Sequence, residues 1–355
     1  MSDILFDVQH LTKVFDLGRG VVDGQSRKLE LYAVEDMSFQ MMQGETLGVV
    51  GESGSGKSTM GRCLVGLEHA TSGTVLYKGR DISKVSKSEA RELRKDMQIV
   101  FQNPSSSFNP RKTIGESLKE VALFHGLNRE QADARIRDLL GFVNLPDDVL
   151  DARSNGLSGG QLQRLAIVRA LIPDPEFILA DEPVSALDVS VQAQILHLFD
   201  DLKKRMGVST LFVSHDLTVV EHLCDRVIVM YLGAIVEMAE SRELFDHPLH
   251  PYTQSLLSSR PKEYPWQDVK HLELNGDIPT AIGEAHNCRF HTRCPVNVHG
   301  VCDQERPPLV EVTPGHWVSC IISDPDRHFG DEFQLTDGAW HRTHAQSATP
   351  AAQAV

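Results

Sequence analysis

Residues 51–59 read Gly-Glu-Ser-Gly-Ser-Gly-Lys-Ser-Thr. Glycine is a poor residue for the interior of a helix or a strand, so this cluster marks a place where something approaches the backbone too closely for a Cβ. Just before it, Thr46, Leu47, Gly48, Val49 and Val50 form a short apolar run of strand character. Just after it, Met60, Cys63, Leu64 and Leu67 recur at helical spacing. A strand, a glycine loop and a helix start are together the setting for an anion at a helix N-terminus.

The spacing from Gly51 to Gly56-Lys57-Ser58 fits a phosphate loop, with Thr59 extending it. Backbone amides from Gly51 through Ser53, Gly54, Ser55 and Gly56 would cradle phosphate oxygens. Lys57 would supply a cation to the β- and γ-phosphates, and Ser58 an oxygen ligand to Mg²⁺. The plain alternative is a glycine-rich turn with a chance lysine.

The whole chain narrows the partners. It has 355 residues, 41 % of them hydrophobic, enough for a large domain and a smaller one. Its 49 acidic and 35 basic residues leave a formal charge of −14, unsuited to nucleic acid as the main partner. No apolar run approaches the ~20 residues of a membrane-spanning helix. The N-terminus MSDILFDVQH lacks the basic start and apolar stretch of a signal peptide. A cytosolic chain whose membrane link comes through a partner is expected.

Residues 46–50 and 97–101 read as short strands, and the apolar runs at 177–181 and 210–214 as strands buried on both faces. Between them, 113–125, 129–143, 158–172 and 189–206 carry helical patterns. Alternation of the two implies an α/β core. The first forty residues read as β-rich, interrupted by an insertion, DLGRGVVDGQSRK. Near residue 240 the texture changes: HPLHPYT at 247–253 is followed by a stretch rich in proline, histidine and cysteine.

FILADE at 177–182 is an apolar strand ending in two carboxylates. After a phosphate loop, Asp181 is placed to hold Mg²⁺ through water and Glu182 to polarise an attacking water. Leu157-Ser-Gly-Gly-Gln161 taken alone is an ordinary helix start. Together with the phosphate loop it resembles the signature of ABC-type ATPases. Gln102 in VFQNP, SALD at 185–188 and His215 in VSHD agree in order and spacing. The resemblance covers roughly residues 3–240.

That resemblance implies a P-loop NTPase fold of the ABC type, binding ATP and Mg²⁺ between two ATPase domains arranged head to tail. Ser158, Gly159, Gly160 and Gln161 would then contact ATP held by the partner, and Asp188 would sit at the dimer seam. Gln102 would sense Mg²⁺ and water, and His215 would contact the γ-phosphate and orient Glu182. Phe15 is the first choice for an aromatic stacked on adenine, with Tyr32 its rival. Residues from 103 to about 160 resemble the helical subdomain that grips membrane subunits.

HPLHPYT and GEAHNCRFHTRCPVNVHGVC resemble the C-terminal region of oligopeptide and dipeptide importer ATPases. The implied organisation is an ATPase domain at 1–240, a C-terminal domain at 241–322 and a flexible tail at 323–355. The implied partners are a second ATPase subunit, expected as a heterodimer, two membrane permease subunits and, indirectly, a peptide-binding protein. The implied location is the cytoplasmic face of the bacterial inner membrane. Alternatives are import of a nickel complex or glutathione, and a soluble ABC ATPase remodelling a nucleic-acid or protein complex.

Cys288, Cys294, Cys302 and Cys320 follow a C-x5-C-x7-C-x17-C spacing. Four clustered thiols in a reducing compartment favour a metal over disulfides. By spacing alone Zn²⁺, a [4Fe–4S] cluster and unligated buried thiols all remain open. The resemblance to dipeptide-importer ATPases implies the [4Fe–4S] cluster, with zinc as the alternative.

Overall fold

The computed structural model describes residues 3–22, 25–259, 274, 279–327, 333–336 and 339–343. Internal contacts divide the chain into two compact units, one of Met1–Ala234 with Thr280–Gly283, the other of Ile235–Pro279 with Glu284–Val355.

The first unit opens with two long strands, β1 (Ile4–Val22) and β2 (Gln25–Met42), paired antiparallel along their length. The charged, glycine-bearing insertion therefore forms the outer arms of this ribbon, its register offset by bulges. Then come β3 (Thr46–Val50), α1 (Lys57–Leu64), β4 (Ser72–Tyr77), β5 (Arg80–Asp81), α2 (Lys87–Asp96) and β6 (Met97–Val100). Two helices, α3 (Ile114–Phe124) and α4 (Arg129–Phe142), pack on each other and precede α5 (Gly159–Leu171). The order closes with β7 (Phe177–Asp181), α6 (Val189–Met206), β8 (Ser209–Val213), α7 (Leu217–Leu223) and β9 (Arg226–Tyr231).

Two sheets result. β1, β2, β4 and β5 form an antiparallel sheet in the order β2-β1-β4-β5. Five strands run parallel in the order β9-β3-β8-β7-β6. Every residue of β3, β7 and β8 is buried, which is why these strands read as unbroken apolar runs. Parallel strands all end on the same side, and that edge is where open α/β sheets bind ligands.

The second unit contains β10 (Ala234–Glu240) from its second residue on, α8 (Ser241–Asp246), α9 (Pro251–Ser258), β11 (Val310–Thr313), β12 (His316–Val318), β13 (Phe333–Thr336) and β14 (Ala339–Arg342). β12 pairs antiparallel with β10 and with β11. Within the segment 323–355, expected as a flexible tail, β13 and β14 form a hairpin. Phe333 joins a core with Val296, Val318, Cys320 and Ile322, against which Trp340 packs. Residues 344–355 lie outside the described residues.

The HPLHPYT stretch has a local physical purpose. Glu237, fully buried, accepts the backbone N–H groups of Leu249 (2.7 Å) and His250 (3.0 Å). The same carboxylate meets Nε2 of buried His316 at 2.8 Å. His250 caps α9 by accepting the Tyr252 N–H through Nδ1 at 3.0 Å, Pro251 occupies the first helical turn, and Gln254 Nε2 donates to Pro248 O at 2.9 Å. A carboxylate buried twelve residues upstream thus pins the turn that the prolines stiffen.

The two histidines titrate in opposite senses. Burial pushes His250 down to about 3 from 6.5, so it is neutral in the fold. For His316 burial opposes the charge, but the hydrogen bonds and charges of Glu237 and Glu243 outweigh it and hold the imidazole above its usual value. The unfolded chain gains a proton at residue 250 below pH 6.5 and the fold does not, so stability falls there on acidification. The His316 contribution is complete below its ordinary value and is lost as pH rises through its raised one. Between pH ~6.5 and ~4.5, thermal melts should lose stability through His250 with a slope that rises towards its one-proton limit of about 1.4 kcal/mol per pH unit. His250→Asn, which keeps an N-cap acceptor, should flatten that limb, and an unchanged slope would refute the assignment.

Candidate functional site

Four segments expected to act together leave the same edge of the parallel sheet. The phosphate loop follows β3, Gln102 follows β6, Asp181 ends β7 with Glu182 next, and His215 follows β8. Strand order brings β6, β7, β8 and β3 side by side, so residues far apart in sequence converge.

The loop is held tightly from beneath. Gly51 (φ +147°) and Gly56 (φ +98°) adopt backbones that disfavour a side chain, and a Cβ would lie 2.2 Å from Met230 O and 1.9 Å from Ala33 O. Lys57, 4 % exposed, turns its Nζ onto the loop itself, donating to Gly51 O (2.7 Å) and Glu52 O (2.9 Å). Burial lowers the pKa of this ammonium, opposed by the charges of Glu182, Asp181 and Glu52.

Ser58 Oγ donates to Asp181 Oδ1 at 2.6 Å. This places a hydroxyl and a carboxylate together, the hard oxygen donors that suit Mg²⁺. Ser55 Oγ, buried inside the loop, has no hydrogen-bond partner, a polar atom left over for a ligand. The donor set fits a Mg²⁺-nucleotide.

Glu182 sits at φ +50°, a backbone region costly for a non-glycine residue. Its N–H donates to Val213 O (3.0 Å). Its Oε2 accepts from Gln102 Nε2 at 2.9 Å and faces His215 Nδ1 at 3.4 Å. Three loops, each after a different strand, thus meet on one carboxylate.

The other expected residues cluster at helix N-termini. Ser158 caps α5 in a capping box with Gln161: Ser158 Oγ accepts the Gln161 N–H, and Gln161 Oε1 accepts the Ser158 N–H. A Cβ at Gly160 would lie 2.5 Å from Val191 Cγ1 on α6, and one at Gly159 3.4 Å from Leu187 Cδ2. Asp188 caps α6 and accepts from the Val191 N–H and from Ser190 Oγ. The two helix starts therefore abut.

In β1, Phe15 lies under Lys13 Nζ, 4.7 Å from the ring centroid, and pairs in register with Leu31; Tyr32 pairs with Val14. Two further residues belong to the site. Arg62 Nη2 reaches Asp181 Oδ2 at 3.4 Å, and Ser185 Oγ accepts from Gln102 at 3.2 Å. Arg62 could be found from sequence, since it lies four residues after Ser58 on one helix face.

The sequence model of the ABC transporter family matches residues 34–185. That of the oligopeptide/dipeptide transporter C-terminal region matches residues 236–302. The oligopeptide transport ATP-binding protein AppF of Bacillus subtilis is 42% identical over 325 residues, spanning 90% of this chain and 98% of that protein. The chain belongs to the ABC transporter family. The oligopeptide transport ATP-binding protein OppF of Salmonella typhimurium is also 42% identical, over 91% of this chain and 97% of its own. The cassette MJ0796, solved as a dimer in a post-hydrolysis state with ADP and Pi, superposes with a TM-score of 0.59 at 28% identity, over 67% of this chain and 99% of that one. The protein is an ABC-type ATPase, and the α/β fold expected from its motifs is the fold observed.

The iron–sulfur expectation is overturned. Among the described residues of this ABC ATPase, no three His, Cys, Asp or Glu side chains are arranged to hold a metal ion. Cys320 lies in the apolar cluster with Val296, Val318, Ile322 and Phe333, and Cys294 packs against it. Burial raises Cys288 to about 12 and Cys320 to about 11, and raises Cys294 and Cys302 as well. Cys302 Sγ accepts the Val298 N–H at 3.4 Å. Burial, with the charge the neighbouring thiols would place on one another, favours their protonated form; with no ligand group formed among the described residues, neither the [4Fe–4S] cluster nor the zinc alternative on Cys288, Cys294, Cys302 and Cys320 stands.

Proposed function

We propose that this chain is the energy-supplying subunit of a membrane importer for di- and oligopeptides. The convergence of Gln102 and His215 on Glu182, beside the Ser58–Asp181 pair, carries the catalytic part of this reading. The two family matches and the names of the 42% identical relatives support the cargo.

Loop amides from Gly51 to Thr59 bind the ATP phosphates, and Lys57 leaves its carbonyl contacts to meet the β- and γ-phosphates. Ser58 and Gln102, with Asp181 through water, would hold Mg²⁺, which would supply charge neutralisation at the phosphates. Glu182 accepts a proton from the attacking water, while Gln102 and His215 hold its carboxylate in place. Phe15 or Tyr32 stacks on adenine.

The capping box occupies the amides of Ser158 and Gln161 and leaves those of Gly159 and Gly160 for a phosphate in the partner's site. Asp188, at the abutting helix start, lies at the seam. The working unit is then a dimer of ATPase domains, here with a second, similar chain, on two membrane permeases at the cytoplasmic face of the inner membrane. A separate binding protein delivers the peptide, and nucleic acid has no part. No described helix is long and apolar enough to cross a membrane. We assign residues 1–240 to the ATPase domain, with about 103–160 as its helical subdomain, and 241–322 to the C-terminal domain.

Lys57→Ala tests the site directly. It removes a charge-assisted contact worth about 1.5–3 kcal/mol, so calorimetry should show Mg²⁺-ATP binding weakened by one to two orders of magnitude, about 1.4 kcal/mol per tenfold. Peptide uptake by cells carrying this variant as the sole copy should stop. Wild-type affinity in Lys57→Ala would refute the nucleotide site; normal uptake would refute the transport role.

A further inference from the structure

β2 is an edge strand of the antiparallel sheet, and an edge exposes unpaired amides and carbonyls. At Glu30–Tyr32 that edge is covered by a segment some 250 residues downstream. Leu31 and Ile282 form an antiparallel bridge. The Tyr32 N–H donates to Ala281 O and the Gly283 N–H donates to Glu30 O, both at 2.9 Å. Ala281 is 6 % exposed, and Gly283 holds φ +81°.

The register extends across three strands. One row is Phe15–Leu31–Ile282, and the next is Val14–Tyr32 with Ala281. Successive side chains of a strand alternate between faces, so Phe15 and Tyr32, in adjacent rows, lie on opposite faces of the ribbon, and residues 281–282 extend both rows. The stretch also touches the phosphate loop: a Cβ at Gly56 would strike Ala33 O, one at Gly233 would lie 2.5 Å from Tyr32 O, and the Gly233 N–H donates to Ser55 O at 2.9 Å.

We propose that residues 280–283 are a positioning strap for the base end of the ATP site, holding the Phe15/Tyr32 region of the ribbon against the phosphate loop before nucleotide arrives. The inference rests on the nucleotide-site reading above. A strand pinned at its edge loses its freedom in folding rather than in binding, so ATP meets a preorganised ring. By linkage, a nucleotide that engages the ring stabilises the strap in return.

Gly283→Pro removes both the donated N–H and the positive φ. In full-length protein carrying Glu182→Gln, calorimetry would compare Mg²⁺-ATP with Mg²⁺-tripolyphosphate, which lacks the base. ATP affinity should fall about fivefold, the scale of one stacking contact, with tripolyphosphate binding unchanged. Unchanged ATP affinity, or equal losses for both ligands, would overturn the strap. Hydrogen exchange on the chain with its strap intact provides a test independent of that variant's folding. The amides of Tyr32 and Gly283 should be better protected with ATP than with tripolyphosphate, and equal protection would overturn it. Lys57→Ala separates the two readings, because undiminished tripolyphosphate binding there would sink the nucleotide site itself.

Discussion

Glu182→Gln is expected to bind Mg²⁺-ATP at near wild-type affinity and to lose about 10²–10⁴-fold in turnover, the range associated with removing a general base. The change keeps shape and hydrogen-bonding capacity, so Gln102 and His215 retain a partner where Oε2 now stands at 2.9 and 3.4 Å. It removes the proton acceptor alone. Since the proposed reading gives phosphate binding to the loop and Lys57, the loss should fall on kcat rather than on affinity. The trapped ATP state should accumulate as a closed dimer, visible by light scattering. Hydrolysis at the wild-type rate would show that another group takes the proton.

The second large effect lies in the other unit. Glu237→Ala should destabilise it by about 3–5 kcal/mol, the cost of removing one partner from a buried ion pair. Three donors lose their acceptor at once: the Leu249 and His250 amides and the His316 imidazole. Glu237→Gln retains an oxygen but no charge, so it should cost less and lower the His316 pKa towards its ordinary range. Chemical denaturation and NMR titration of His316 measure the two effects. A cost below about 1 kcal/mol for the alanine variant, typical of an exposed pair, would refute the buried-network reading.

Much of the candidate site's geometry was legible in the chain because it is local. Gly51 and Gly56 are demanded by backbone that passes within 2.2 Å of where a Cβ would stand, and Gly54 by its φ of +80°. The strands before Asp181 and His215 are buried on both faces, and so announce themselves as apolar runs. Arg62 and Ser185 reach the site through other side chains, Asp181 and Gln102, so neither the phosphate loop nor the SALD motif assigns them these contacts.

The four cysteines mark where reading along the chain fails. Spacing limits which ligand sets are open, but a metal site exists only where sulfur atoms point at a common centre. Among the described residues no such group forms, and Cys320 and Cys294 pack with apolar side chains instead; a motif-level resemblance could not reveal that. HPLHPYT is similar: its prolines mark a stiffened segment, while its anchor, Glu237, and the partner His316 lie on two paired strands, β10 and β12.

By itself, then, the chain determined the α/β alternation, the phosphate loop, the two carboxylates after β7 and the capped signature helix. All of these follow from periodicity, capping and glycine placement over a few residues. Tertiary structure alone decided which carboxylate Gln102 and His215 share, what the cysteines do and that residues 280–283 close the edge of β2. Those depend on strand order and side-chain direction, which arise from long-range packing and leave no mark in local spacing.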